Sequence, residues 1–253
     1  MSAHAFYDRV ATAYQGHGAF YARLAGALIE QLPGGLSCRR VLEVGAGTGF
    51  ATRALRARFP AAELVALEPS RAMLDLGRAA VPEAAWRAAT LKDLDPGERF
   101  DLVFASASAH WFCAEDWRRL LAVRGRSTLA LSLPASALAG RAGGLPSGNN
   151  LVARLVLRRR PTARWSAAVR ARSLAIRQAA AVTTSDLALD ETFPAPGDLA
   201  AALYTRGALL ALFGEAAEEA RQELASAGAP GPLVFRWPFA LVVAPPLGKG
   251  ERP

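Results

Sequence analysis

The feature that most constrains this 253-residue chain is Val41-Leu42-Glu43-Val44-Gly45-Ala46-Gly47-Thr48-Gly49-Phe50, an apolar β-like run feeding directly into three glycines spaced two apart. Glycine is needed where backbone takes φ > 0 or lies against a ligand with no Cβ in the way, so three in one turn mark a strand-to-helix loop able to cradle a nucleotide. The stretch from Thr48 to Arg58 supplies the helix. In the dinucleotide fingerprint the second and third glycines are separated by two residues and the helix N-terminus meets a pyrophosphate. Here Phe50 stands where that third glycine belongs. Glu43, two residues before the loop, is unfavourable beside a pyrophosphate but suits an ammonium or sulfonium. A second acid, Glu68, ends the apolar run Leu64-Val65-Ala66-Leu67, a position that suits ribose hydroxyls.

These residues resemble the class I S-adenosylmethionine (SAM)-dependent methyltransferase superfamily, whose first motif is an acid, any residue, then Gly-x-Gly-x-Gly. The resemblance continues through Leu67-Glu68-Pro69-Ser70-Arg71-Ala72-Met73-Leu74, similar to the second-strand motif with its ribose acid and a Met packing near adenine. It extends to Phe100-Asp101-Leu102-Val103-Phe104-Ala105, similar to the fourth strand, with Ala109-His110-Trp111-Phe112 just past it. The aligned portion covers about residues 38 to 135. The opening Phe6-Tyr7-Asp8-Arg9-Val10-Ala11-Thr12-Ala13-Tyr14 is similar to the first helix of the small-molecule branch, which folds over the cofactor. Within that branch the chain resembles the malonyl carrier-protein and trans-aconitate methyltransferase groups.

The resemblance implies a Rossmann-like α/β fold, a seven-stranded class I methyltransferase sheet flanked by helices, with a helical lid inserted after strand five. It implies SAM as cofactor, S-adenosylhomocysteine (SAH) as product and no metal. The cofactor would be held by Tyr14, closing the methionine end, and by Glu43, Gly45, Ala46, Gly47, Thr48, Gly49, Glu68, Pro69, Met73, Thr90, Leu91, Ser106 and Trp111. Two segments depart from the pattern. Ala89-Thr90-Leu91 stands where relatives carry an acid near the adenine amine, leaving Thr90 as a weaker acceptor. Val123-Arg124-Gly125-Arg126 replaces the usual Leu-x-Pro-Gly-Gly turn before strand five.

The apolar runs alternate with amphipathic ones in the doubly wound α/β manner. Strands are expected at 40–44, 63–67, 84–88, 101–105 and 128–133, with helices at 48–58, from Ser70, and at 115–123. Residues 1–30 form a helical cap, 38–135 the cofactor core, 136–180 the lid, and 181–245 the terminal strands and helix, all within one domain over 1–253. Residues 134–150 read as a connection, 151–180 as helical and 182–190 as a sixth strand. One helix is expected from Pro196 through Ala225, and then a closing strand at 233–243 in which Pro238 calls for a bulge or an edge position.

With 52% hydrophobic residues the chain can bury a sizeable core. Its 30 basic against 22 acidic residues give +8, but 28 of the basic residues are arginine beside abundant alanine, a bias that coding composition can produce. The densest cluster, Arg158-Arg159-Arg160 near Arg154 and Arg164, has no interleaved aromatics for base stacking. Cys38 and Cys113 form no Cys-x-x-Cys pair, and the three histidines have no ligand spacing, which argues against a disulfide framework or a zinc site. No basic-then-apolar leader and no run of ~18 apolar residues is present. A cytoplasmic protein that does not enter the membrane is the expectation.

Methyl transfer from a sulfonium is an in-line displacement that needs alignment and exclusion of water more than acid–base chemistry. A carboxylate acceptor is already ionised at neutral pH, whereas a phenol gains from a general base. His110, past strand four at the carboxyl edge of the sheet, is the candidate base; its structural alternative is a turn-capping histidine. Trp111 reads as packing beside cofactor or acceptor, and Trp165 as core or as a cover for the acceptor. His4 and His17 flank the opening helix and would reach the acceptor cavity if that helix folds over the site, but as terminal histidines they read as incidental; Cys113 reads as a buried or incidental thiol. The expected activity is methyl transfer to oxygen of a small-molecule or carrier-protein-bound acceptor. The alternatives are RNA methylation, a dehydrogenase, and a SAM-binding protein without turnover.

Overall fold

In the computed structural model, residues 2–124, 127–134, 151–152, 154–155, 158–159, 182–227 and 231–246 are described. The expected lid over 136–180, apart from those few residues, lies outside them, as do Trp165, Arg160 and Arg164.

Five parallel strands come first: β1 Arg40–Val44, β2 Glu63–Leu67, β3 Ala85–Arg87, β4 Leu102–Ala105 and β5 Thr128–Pro134, with β6 Thr183–Phe193 and β7 Leu233–Ala244 following. The sheet order is β3-β2-β1-β4-β5-β7-β6. Pairing is in register between Val41 and Leu64 on one side of β1 and between Val41 and Leu102 on the other. Val41, Leu42, Leu102, Val103 and Phe104 have no exposed surface. Strands covered on both faces read as continuous apolar runs, which is why these were visible in the sequence. Each such side chain contributes about 1.5–3 kcal/mol by leaving water.

The order reverses between β1 and β4, and open α/β sheets bind ligands in the crevice at the carboxyl ends beside such a switch point. Four helices flank this part: α1 Ala3–Gln15, α2 Gly18–Glu30, α3 Phe50–Arg58 and α4 Arg71–Ala80; α5 Ala114–Arg124 precedes β5. α3 begins two residues later than expected, because Gly49 takes φ 88° and serves as its N-cap. The cap region is two helices, since the Gly16–His17 turn separates α1 from α2.

The chain divides into two compact units, one holding 2–133, 182–185 and 240–246 of the described residues, the other built chiefly from 186–239. In the second unit the single helix expected from Pro196 through Ala225 is instead three: α6 Pro196–Thr205, α7 Ala208–Phe213 and α8 Ala217–Ser226. Gly207 at φ 76° and Gly214 at φ 60° break it, a conformation no helix interior allows. Within this unit Arg206 makes a two-pronged ion pair with Glu191 and lies over the Trp237 ring at 4.7 Å. β7 runs through Pro238 between β5 and β6, so of the expected bulge or edge position the edge alternative does not hold. Among the described residues no single helix is long and apolar enough to cross a membrane, and no cluster of His, Cys, Asp and Glu could hold a metal.

Candidate active site

The turn after β1 takes the shape its glycines allow. Gly45 and Gly47 have φ of 71° and 58°, and a Cβ on Gly45 would sit 2.5 Å from Ser108 Cβ. A Cβ on Gly47 would meet nothing within 4 Å. Gly47 is therefore glycine for its backbone angle and leaves its Cβ side open. The N–H groups of Gly45 and Ala46 both donate to Leu67 O at 2.9 Å, tying the loop to the end of β2.

Glu68 follows that point. Its Oε2 accepts the Gly47 N–H at 2.8 Å and its Oε1 accepts the Ser70 N–H at 2.8 Å. Burial raises its pKa to about 7, against the pull of those two N–H donors toward the charged form. Glu43 lies deeper: burial raises it to about 8, the nearby Thr52 hydroxyl offsetting only part of this, and its Oε2 has no hydrogen-bond partner. Thr48 Oγ1 is likewise buried without a partner.

A cavity opens at the carboxyl ends of these strands. Of the expected residues, Tyr14, Gly45, Gly47, Glu68, Pro69 and Met73 line it, as do Thr90, Leu91, Ser106 and Trp111. Glu43, Ala46, Thr48 and Gly49 belong to the loop and its support, not to the wall, and His110 is also off the wall. His110 packs against Trp111 with ring centroids 5.0 Å apart; its Nδ1 is buried without a partner, and burial lowers its pKa to about 4. Thr90 N-caps a short 3-10 turn at Leu91–Asp93, where its hydroxyl donates to Asp93 at 2.9 Å and is thus engaged locally. Cys113 is exposed, so of the expected buried or incidental thiol the buried alternative does not hold.

The wall holds residues beyond the expected set. Ala3, His4 and Tyr7 reach the cavity from α1, so His4 is not incidental in position. Tyr7, Tyr14, Tyr21 and Phe50 form successive ring contacts, with centroids at 5.9, 4.6 and 6.4 Å, and Tyr7 meets Trp111 edge-on at 6.0 Å. The signal was available in the spacing of residues 3, 7 and 14, which share a helical face. Phe112 and Asp116 also line the wall, and Asp116 accepts the Cys113 N–H at 2.9 Å at the start of α5. The turn between β4 and this segment is strained: Ala107 has φ 54°, held by its N–H donating to Ser132 Oγ at 2.8 Å. Ser108 donates to Val44 O at 2.6 Å, pinning the same turn to the end of β1.

A doubly wound sheet with a three-glycine turn at its switch point and an acid after the second strand defines a Rossmann-like nucleotide-binding fold of the methyltransferase kind. Residues 41–127 match the methyltransferase domain family. Trans-aconitate 2-methyltransferase of Escherichia coli is 35% identical over 71 residues, a match that spans 28% of this chain and 28% of that relative's length. A putative type II methyltransferase from Anaeromyxobacter dehalogenans superposes with TM-score 0.52 at 22% identity, covering 88% of this chain and 95% of that one. Haemonchus contortus phospholethanolamine N-methyltransferase 2, solved with SAH, gives TM-score 0.56 at 13% identity, covering 97% and 60%. Over residues 41–127 the chain is thus similar to the class I SAM-dependent methyltransferases, and its seven-stranded sheet has their fold.

Proposed function

We propose that this chain transfers the methyl group of SAM to oxygen of a small-molecule or carrier-protein-bound acceptor. The observation that carries the reading is the junction of Gly47 and Glu68 on one cavity wall, a backbone cradle open on its Cβ side beside a carboxylate at the end of the second strand. The residues fit the cofactor. Glu68 would take the ribose hydroxyls, Met73 and Leu91 would pack the base, the Gly45–Gly49 turn would carry the amino-acid end, and Tyr14 would close over it. The partnerless Glu43 Oε2 beneath the loop is a carboxyl group that a nearby positive charge would draw toward its ionised form.

When bound, SAM supplies an electrophilic methyl on a sulfonium; the chain's part is to hold the acceptor in line and keep water away. The aromatic run from Phe50 to Tyr7 and Trp111 provides an apolar wall for that purpose. Burial holds the Tyr7 and Tyr14 phenols well above their ordinary pKa, so both stay neutral. His110, neutral at pH 7, is a weak base, a condition compatible with a carboxylate acceptor that needs no deprotonation.

The RNA reading leaned on arginine density. Arg159 pairs with Glu223 at 2.6 Å and Glu219 at 3.3 Å, and Arg158 with Glu223 at 3.4 Å, so this part of the cluster is engaged within its own unit. Cytoplasmic placement belongs to the same proposal, supported by the free thiols of Cys38 and Cys113. The test is transfer of labelled methyl from SAM to a panel of small carboxylates and hydroxyls, free and carrier-bound. Product from a small acceptor, absent with Glu68→Ala, supports the reading; labelling of RNA alone refutes it.

A further inference from the structure

We propose that Asp8 positions the amino-terminal helix over the cavity and couples that helix to the glycine loop, an inference that rests on the cofactor reading above. α1 gives the cavity Ala3, His4, Tyr7 and Tyr14. Of its 13 residues, Phe6 and Ala11 are buried and Tyr7 and Tyr14 make ring contacts, while the rest of the helix is exposed or half-buried. A polar fastening then has leverage, and Asp8 provides one.

Its Oδ1 accepts the Ser70 hydroxyl at 2.7 Å and the Ala72 N–H at 3.2 Å. Both partners stand at the first turn of α4, where the helix dipole favours a carboxylate. The Ser70 hydrogen bond holds the Asp8 carboxyl below its ordinary pKa, so it stays charged at neutral pH. Ser70 is fully buried and its own N–H donates to Glu68 Oε1 at 2.8 Å. Glu68 Oε2 in turn accepts the Gly47 N–H at 2.8 Å. A continuous polar chain, Asp8 to Ser70 to Glu68 to Gly47, therefore joins the helix that walls the cavity to the turn that cradles the ligand. Glu68 sits in the middle of it, so a ligand that engages Glu68 acts on both ends. Such a chain is a two-ended brace: loosening Asp8 loosens the Gly47 N–H, and orienting Glu68 tightens α1.

The experiment compares wild type, Asp8→Ala and Asp8→Asn, the last keeping an acceptor oxygen but no charge. Amide hydrogen exchange of the ligand-free protein is read at residues 3–15 and at Gly47, and SAH dissociation is followed by stopped flow. The expected result is faster exchange at both places in Asp8→Ala, and SAH leaving about three- to tenfold sooner, the scale of a charged but solvent-accessible hydrogen bond. Asp8→Asn should fall between. A merely structural role would raise exchange evenly through β1 and β4 and lower thermal stability without singling out Gly47. Unchanged exchange at Gly47, or unchanged SAH dissociation with α1 loosened, overturns the coupling. Failure of wild type to bind SAH counts against the cofactor reading, while the exchange at Gly47 still decides the role of Asp8.

Discussion

Glu43 and Glu68 share an environment that resists charge, and their pKa values of about 8 and about 7 turn this into a pH dependence. A folded-state pKa raised above the ordinary 4.5 means the folded chain keeps protons that the unfolded chain releases. The contribution is whole below about 4.5 and is lost as pH rises through 7 and 8. Glu43→Gln, which cannot ionise, should therefore flatten the fall of Tm between pH 5 and 8 and raise Tm at pH 8 by several degrees, as read by thermal shift without ligand. An unaltered slope would show that Glu43 ionises freely in the fold. His110 gives a second expectation at this scale. With a pKa near 4 it can contribute no inflection around 6.5, so wild type and His110→Ala should share one kcat/KM profile between pH 6 and 7.5, and His110→Ala should change kcat less than about tenfold, below the range of general base loss. An ascending limb near 6.5 that vanishes in the variant would restore His110 as the base.

The strained turn after β4 is a device of the element scale. Ala107 holds φ 54°, a left-handed angle that costs a non-glycine residue about 1–2 kcal/mol, and Ser132 Oγ on β5 anchors its N–H. Ser132→Ala should release the turn and weaken SAH binding, and adding Ala107→Gly, which accepts the angle freely, should restore part of that loss. Two independent, additive defects would contradict the link. These elements also show what the sequence could and could not disclose. β1 and β2 were legible to the residue because parallel strands covered on both faces are continuous apolar runs ended by turn residues. The helix from Pro196 was not, because Gly207 and Gly214 sit in an apolar window where glycine is tolerated, and nothing local reveals their left-handed angles. Glu68 was legible from its position after a strand. Asp8 was not, since its partner Ser70 lies 62 residues away. Tyr7 was missed although the face it shares with Tyr14 was readable in the spacing, and His4 was set aside as a terminal histidine although it lines the same cavity.

At the scale of the molecule, the described fold serves one arrangement: a switch point between β1 and β4, a glycine turn above β1, an acid above β2, and an aromatic helix beside them. A core of buried β strands fixes the first three, whereas polar and ring contacts hold α1 beside them. Methyl transfer at this site requires that arrangement to bind SAM. Calorimetric titration of the purified chain with SAM and SAH, with NADH as the control nucleotide and Glu68→Ala as the matched variant, measures this directly. The account predicts binding of SAM and SAH with Kd in the micromolar range, about −8 kcal/mol, lost in Glu68→Ala, and no heat from NADH. No binding of either sulfur ligand, or binding of NADH in their place, would contradict it.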